Sequence, residues 1–175
     1  CQSPDAQLRK PRHAIPAGAI DCHCHVFEDQ KKYPLVAQRS YTPPLCTLND
    51  YLRMSETLGV TRMVQVNAST YGLDNTVTLE LHDGGMRGVR LSTMVKGYGG
   101  PELLGVIAKT IKPFGWHVQL HVDRAGEIAT LEQQLLDHPT AIVFDHLGRV
   151  RGNEGVNAAG FQALLRILKQ RNDCW

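Results

Sequence analysis

Short apolar runs alternate with amphipathic segments along most of the 175-residue chain. Runs rich in β-branched and other apolar residues predict five strands, over residues 19–26, 61–67, 88–95, 116–122 and 141–146. Apolar residues at helical spacing predict helices over residues 48–58, 102–112, 127–136 and 158–170. A repeated order of strand then helix is typical of a parallel sheet with helices packed outside it.

The sequence also predicts where one helix and the packed part of the chain begin. Thr47 is placed to cap the helix over 48–58, with Asp50 at the capping-box position. Residues 1–18 are polar and interrupted by prolines, which predicts a lead-in without packed structure. We therefore expect one domain over residues 19–175, preceded by this lead-in.

Composition and charge narrow the classes of function. The net charge is +2 and the basic residues are scattered, which argues against a nucleic-acid partner. No apolar run reaches the roughly 18 residues that cross a bilayer, so we expect no membrane partner. Five cysteines without the spacing of a disulfide framework favour the reduced cytoplasm. Cys22 and Cys24 are expected to be small buried thiols.

Two histidines end the first predicted strand, in AIDCHCHVF at residues 19–27. His23 and His25 are two apart, so on a strand they point to the same side. Such a pair can hold one divalent metal ion or bind one carbonyl or anionic oxygen. The alternative is a pair of structural histidines bonded to the backbone. Their position at a strand end favours function.

A third histidine, His146, also follows a predicted strand, in FDHLGR at residues 144–149. It could complete a three-histidine cluster with His23 and His25. Arg149 carries a guanidinium suited to a carboxylate, although a surface ion pair is the alternative.

Two arginines lie around the start of the third strand. Arg90 falls within the strand, where an unpaired charge is costly, so it needs an acidic partner in the protein or on a ligand. For Arg87 and Arg90 alike, a structural bridge to an aspartate is as good an interpretation as a binding role.

The remaining candidates are a serine and several histidines. Ser69 lies just past the second strand and suits ligand orientation, since no G-x-S-x-G motif marks a nucleophile. His117 and His121 share one face of their strand with Gln119. His121, nearer the carboxyl end, could reach a ligand, whereas His117 is expected in the core. Three histidines in loops or at helix ends are expected at the surface: His13, His82 and His138.

Six motifs occur in one order along the chain: GAIDCHCHVF, RSYTPP, ASTYGLDN, GMRGVRL, WHVQLHVD and VFDHLGR. Together they resemble the amidohydrolase superfamily, in the branch of the 2-pyrone-4,6-dicarboxylate lactonases. The resemblance implies an α/β fold, a (β/α)8 TIM-type barrel. It also implies hydrolysis of a small anionic lactone such as 2-pyrone-4,6-dicarboxylate, by water attack on the ring carbonyl, in the degradation of aromatic compounds.

The resemblance assigns roles to residues. His23, His25 and His146 would surround the lactone carbonyl as catalytic residues. The substrate-binding candidates are Tyr41, Ser69, Arg87, Arg90, His121 and Arg149. The branch is unusual in working without a metal, so that no cofactor is required; in the alternative, the same three histidines bind one Zn²⁺. The general base would be an aspartate at the end of the last barrel strand.

This sequence departs from the family pattern in two places. A strand and helices expected between Glu80 and Leu81 are missing, and the chain stops where another strand should begin. We therefore expect a partial barrel, with activity in a longer parent and none in this chain alone. The alternatives are a metal-dependent sugar-lactone hydrolase or isomerase of the same branch, and an inactive truncated barrel that serves as a binding module. Nothing in the sequence indicates the oligomeric state.

Overall fold

A computed structural model describes residues 2–81, 85–95 and 99–175. The chain divides into two compact units, unit 1 (Cys1–Gly85) and unit 2 (Met86–Trp175). Unit 1 holds the parallel strands β1 (Ile20–Cys24) and β2 (Arg62–Gln65), and unit 2 holds β3 (Gly88–Ser92), β4 (His117–His121) and β5 (Ile142–Phe144). The five predicted strands are therefore present, each with shorter limits. Residues 2–18 contain no helix or strand.

Five α-helices accompany the strands in the described residues: α1 (Leu48–Leu58), α2 (Thr76–Leu81), α3 (Leu104–Ile111), α4 (Gly126–Leu136) and α5 (Ala159–Gln170). The limits of α1 agree with the prediction because Thr47 and Asp50 form a reciprocal capping box. The predicted helix over 102–112 is an α-helix flanked by 3-10 turns at Pro101–Leu103 and Lys112–Phe114. The sequence pattern did not predict α2 as a complete helix.

Unit 1 packs its helices and loops against the end of β1. The buried residues of its hydrophobic cluster are Cys24, Val26, Tyr33, Tyr51, Ala68, Tyr71 and Val77. The Tyr51 hydroxyl donates to the Asp21 carboxylate at 2.9 Å, which joins α1 to the strand. Cys22, nearer the start of the strand, is exposed. The expectation that Cys22 is a buried thiol was therefore wrong, whereas it was right for Cys24.

Unit 2 contains a parallel sheet in the order β3–β4–β5. On one face Leu91, Val118, Leu120 and Ile142 are essentially fully buried, and they pack with α3, α4 and α5 side chains. On the other face lie Arg90 and Ser92 of β3 and Gln119 and His121 of β4, because side chains alternate along a strand. The predicted division of β4 into an apolar face and a His-Gln-His face is thus confirmed.

The last residues of the chain pair with β5. The Ile142 N–H donates to the Asp173 carbonyl, and the Trp175 N–H donates to the Ile142 carbonyl at 3.1 Å. Cys174 forms a parallel bridge with Ile142. The edge of β5 is therefore covered by a short parallel segment, at the point where the sequence predicts another strand.

One of the histidines predicted at the surface is buried. His138 is only 6% exposed, and its ring nitrogens contact Thr140 Oγ1 at 3.2 Å and the Leu104 carbonyl at 3.4 Å. These partners satisfy the polar ring, so that it can lie inside. His13 is exposed as predicted, and His82 lies outside the described residues.

Within the described ranges, no helix has the length and apolar character needed to cross a membrane.

Arg171 caps the carboxyl end of α4 with its side chain. Its guanidinium donates to the carbonyls of Leu135, Leu136, His138 and Thr140 and pairs with the Asp173 carboxylate at 2.8 Å. The last carbonyls of a helix lack partners within the helix, so one planar group with several N–H donors satisfies them together.

Replacing Arg171 by methionine is expected to lower the free energy of unfolding of unit 2 by roughly 3 kcal/mol, because carbonyls and a carboxylate lose their donor. Both tryptophans, Trp116 and Trp175, lie in unit 2, so urea unfolding followed by tryptophan fluorescence reports this unit. The control Arg151→Met, at an exposed position, should change stability by less than about 0.5 kcal/mol. Equal stabilities of the two variants would contradict this role.

Candidate active site

The candidate site of unit 2 lies at the carboxyl end of its sheet. Arg90 pairs in register with Gln119, and Ser92 pairs with His121. Asp145 follows β5 directly, beside the end of β4. Parallel strands bring their carboxyl ends to one edge, which is where α/β enzymes collect their functional side chains.

A buried ion pair joins Arg90 to Asp145. The Arg90 Nη2 donates to Asp145 Oδ2, and the two side chains are 13% and 4% exposed. The acidic partner that the sequence requires for Arg90 is therefore inside the protein. Arg90 Nε is buried and has no hydrogen-bond partner within the part of the chain that the structure describes. One donor of this guanidinium thus remains for a ligand.

His121 is held neutral beside this ion pair. Burial is the main cause that lowers its pKa to about 4, and the nearby Arg90 charge acts in the same direction. Its Nδ1 lies 3.3 Å from Ser92 Oγ, which itself accepts the Val95 N–H. A Ser92 hydroxyl that donates to Nδ1 places the ring hydrogen on Nε2. His121 Nε2 is buried and unpartnered among the described residues.

His146 and Arg149 belong to a turn, Asp145–Arg149, that follows β5. The His146 ring lies edge-on to the His121 ring with 5.2 Å between centroids, and its Nε2 is 3.7 Å from Asp145 Oδ1. The His146 side chain is half exposed. The Arg149 charge contributes to the low pKa of His121, so this guanidinium is also near that ring. The turn thus brings His121, His146 and Arg149 together.

In unit 1, His23 and His25 lie side by side as predicted. Their rings are edge to face with 5.0 Å between centroids, although β1 ends at Cys24 and His25 lies just beyond it. His25 Nδ1 donates to the Val66 carbonyl at 2.8 Å, which leaves the lone pair of a neutral ring on Nε2. A backbone contact of this kind fixes both the tautomer and the orientation of the ring.

The other predicted site residues are placed differently. Tyr41 lies at the exposed surface of unit 1 and Ser69 is half-buried in a 3-10 turn after β2. Arg87 is exposed and precedes β3, so it lies at the amino end of the sheet rather than the carboxyl end. The structure therefore does not bring Arg87 to the edge where Arg90, His121 and Arg149 lie, and its binding role stays a prediction.

Two residues of this edge were missing from the sequence-based candidates. Ser92 lies two positions after Arg90, so the period of a strand already places it on the same face. Asp145 precedes His146 at the strand end. The prediction that Arg90 needs an acidic partner was the signal that pointed to such a residue. Neither signal identifies the contact by itself, because the pairing of β3 with β4 and β5 decides which side chains meet.

The donor chemistry of the predicted histidines fits a zinc ion. Imidazole nitrogens are ordinary zinc ligands, and His25 has the backbone hydrogen bond that commonly orients a metal-binding ring. The metal-dependent and metal-independent alternatives therefore both remain for His23, His25 and His146.

Comparison with known families gives one match over nearly the whole chain. A family model described as amidohydrolase matches residues 20–83 and 80–175. The two matched segments meet at residues 80–83. This is where the sequence predicts that a strand and helices of the family pattern are missing.

Two curated relatives are lactone hydrolases by name. The 2-pyrone-4,6-dicarboxylate hydrolase of Comamonas testosteroni is 29% identical over 198 positions, which cover 97% of this chain and 65% of the relative. The 4-sulfomuconolactone hydrolase of Rhizobium radiobacter is 31% identical over 204 positions, which cover 100% of this chain and 68% of the relative. This chain thus spans about two thirds of the length of the relatives that it matches.

A solved structure shares the fold. It comes from Acinetobacter baumannii, is described as a probable 2-pyrone-4,6-dicarboxylic acid hydrolase, and has citric acid bound. The TM-score is 0.71 at 22% identity, and the match covers 89% of this chain and 68% of that chain.

The low pKa of His121 predicts how the stability of unit 2 depends on pH. A histidine with a pKa near 6.5 when unfolded and about 4 when folded stabilises the folded state above pH 6.5, and this contribution is lost as the pH falls toward 4. Between pH 7.5 and pH 5 the metal-free wild type should lose about 2 kcal/mol more than His121→Asn.

Urea unfolding at the two pH values, followed by tryptophan fluorescence, measures this difference. The variant retains the other charged and titratable groups around the position: Arg90, Asp145, His146 and Arg149. The same pH dependence in both proteins would show that His121 is not held neutral by its surroundings.

Proposed function

Because the chain belongs to the amidohydrolase family, we propose that it carries the carbonyl-polarising and carboxylate-binding part of a hydrolase that opens a carboxylate-bearing lactone. The proposed substrate class is that of 2-pyrone-4,6-dicarboxylate. One observation carries the proposal: the carboxyl edge of unit 2 offers buried N–H groups, on Arg90 and His121, that have no acceptor among the described residues. An anionic ligand supplies the missing acceptors.

The charge of this edge suits an acidic ligand. Asp145 neutralises Arg90, whereas Arg149 has no ion pair within the described ranges and lies near His121. A guanidinium recognises a carboxylate through paired hydrogen bonds. The names of the relatives support this substrate class, since both name lactones with acidic groups, and the Acinetobacter baumannii structure holds a tricarboxylate.

The proposed chemistry is addition of water to the lactone carbonyl. The ring carbon–oxygen bond then breaks, which leaves a carboxylate and an enol. Neutral histidines donate N–H groups to the oxygen that gains negative charge, and such donors are typically worth 10²–10³ in rate. In unit 2, His146 is the proposed donor to this oxygen, with His121 and Arg149 holding substrate carboxylates. In unit 1, His23 and His25 stay catalytic candidates from the family resemblance, and the Nε2 lone pair of a neutral His25 suits the attacking water or a metal ion rather than the carbonyl oxygen. If Zn²⁺ is bound, it supplies the polarisation of the carbonyl.

Binding tests the described residues directly, because it does not require the general base. Isothermal titration calorimetry should show 2-pyrone-4,6-dicarboxylate binding at least about tenfold more tightly than uncharged 2-pyrone, since each charge-assisted hydrogen bond contributes roughly 1.5–3 kcal/mol. Equal affinity for the two compounds, or binding of neither, would contradict the proposed substrate class.

Ring opening tests the catalytic part of the proposal. Loss of the pyrone absorbance is followed in the protein with and without added Zn²⁺, alongside a neutral sugar lactone. Opening of 2-pyrone-4,6-dicarboxylate but not of the sugar lactone would support the proposed substrate class and would overturn the expectation that this chain alone is inactive. Opening of the sugar lactone in preference, dependent on Zn²⁺, would favour the metal-dependent alternative.

Replacing Arg149 by methionine should weaken binding of 2-pyrone-4,6-dicarboxylate about tenfold or more, because a substrate carboxylate loses its guanidinium partner. Arg151→Met, two residues along at an exposed position, is the matched control and should bind as the wild type does. Calorimetric titration of both variants measures the difference. A similar loss of affinity in both variants would mean that only the overall charge of the protein matters. Unchanged affinity in both would show that Arg149 does not bind the substrate.

A further inference from the structure

The turn that carries His146 and Arg149 has an unusual backbone. His146, Leu147, Gly148 and Arg149 have φ of 50°, 54°, 63° and 56°, so four consecutive residues are left-handed and three of them are not glycine. Each such non-glycine residue costs free energy, and the conformation persists only where the surroundings impose it. Packing of the Leu147 side chain does not offset this cost, since the residue is 84% exposed.

Gly148 is the residue of the turn that lies against the core. This residue is buried, and a Cβ atom built on it would lie 2.8 Å from Ile128 Cδ1 and 3.2 Å from Leu164 Cδ2. Ile128 belongs to α4 and Leu164 to α5, and both are in the hydrophobic core of unit 2. The backbone of the turn therefore packs directly on the core at the one position without a side chain.

We infer that Gly148 is a positioning residue, which locks the left-handed turn onto α4 and α5 and thereby sets the places of His146 and Arg149. The two residues flank Leu147 and Gly148, and both act on His121, the first by ring contact and the second by its charge. A shift of the turn moves them together. This inference rests on the proposed function for its consequence in binding, but not for its geometry.

The size of the side chains at the contact offers a rescue test. Gly148→Ala adds the Cβ that collides with Ile128 Cδ1, and Ile128→Val removes that Cδ1 atom. We compare Gly148→Ala, the double variant Gly148→Ala with Ile128→Val, and Ile128→Val alone. Leu147→Gly is the control that relaxes the backbone of the turn without adding an atom against the core.

Two measurements are made on the folded proteins. The imidazole ¹⁵N and ¹H resonances of His121 and His146 report the turn without any ligand, and calorimetry reports the affinity for 2-pyrone-4,6-dicarboxylate. Gly148→Ala should shift both imidazole signals and weaken binding roughly tenfold or more, because small displacements of positioning groups are costly. The double variant should recover part of both changes, because Ile128→Val removes the Cδ1 contact while the left-handed φ still strains an alanine and Leu164 Cδ2 stays close. Leu147→Gly should bind within about threefold of wild type.

Wild-type imidazole signals in folded Gly148→Ala would overturn the inference, as would a folded double variant whose signals are displaced as far as those of Gly148→Ala. If Gly148→Ala does not fold, the imidazole signals of the double variant are compared with those of Ile128→Val alone. Identical signals in these two proteins would overturn the inference. Failure of the wild type to bind the dicarboxylate would count against the proposed function, whereas the imidazole signals would still test the role of Gly148.

Discussion

The buried ion pair of Arg90 and Asp145 is the interaction on which the polar face of unit 2 depends. Two charges out of water are tolerated when each has the other as a partner, so the loss of either one would leave the other buried and unpaired. Arg90 lies on β3 and Asp145 follows β5, and the contact therefore spans β4. His121, at the end of β4, is enclosed beside the pair, and its low pKa follows from burial first and from the Arg90 charge second.

The opposite face of the same strands explains why this arrangement is stable. Leu91, Val118 and Leu120 are buried against the helices of unit 2, and a shift of one residue in any strand would exchange the two faces. The apolar core thus fixes the register, and the register fixes which polar side chains meet. The turn after β5 extends the same dependence to His146 and Arg149, because Gly148 rests on core side chains of α4 and α5.

The sequence predicted the parts of the fold that have local causes. The limits of α1 follow from Thr47 and Asp50, and the two faces of β4 follow from alternation. Contacts between residues far apart in the sequence could not be predicted in this way. His138 was predicted at the surface because its partner, the Leu104 carbonyl, lies 34 residues away. Asp145 was overlooked for the same reason, and the left-handed turn has no signal except its single glycine. The barrel itself, with Arg87 and Tyr41 as binding residues, stays a prediction from resemblance.

In the proposed function, the polar face of β3 and β4, with the turn after β5, binds the acidic ligand. Chemical-shift mapping of the labelled protein during titration with 2-pyrone-4,6-dicarboxylate tests it most directly. We expect the largest changes in unit 2 to fall on Ser92, His121, His146 and Arg149, with little change at Val118 or along α4. Binding that shifts the amino end of the sheet near Arg87 and leaves His121 unchanged would contradict it.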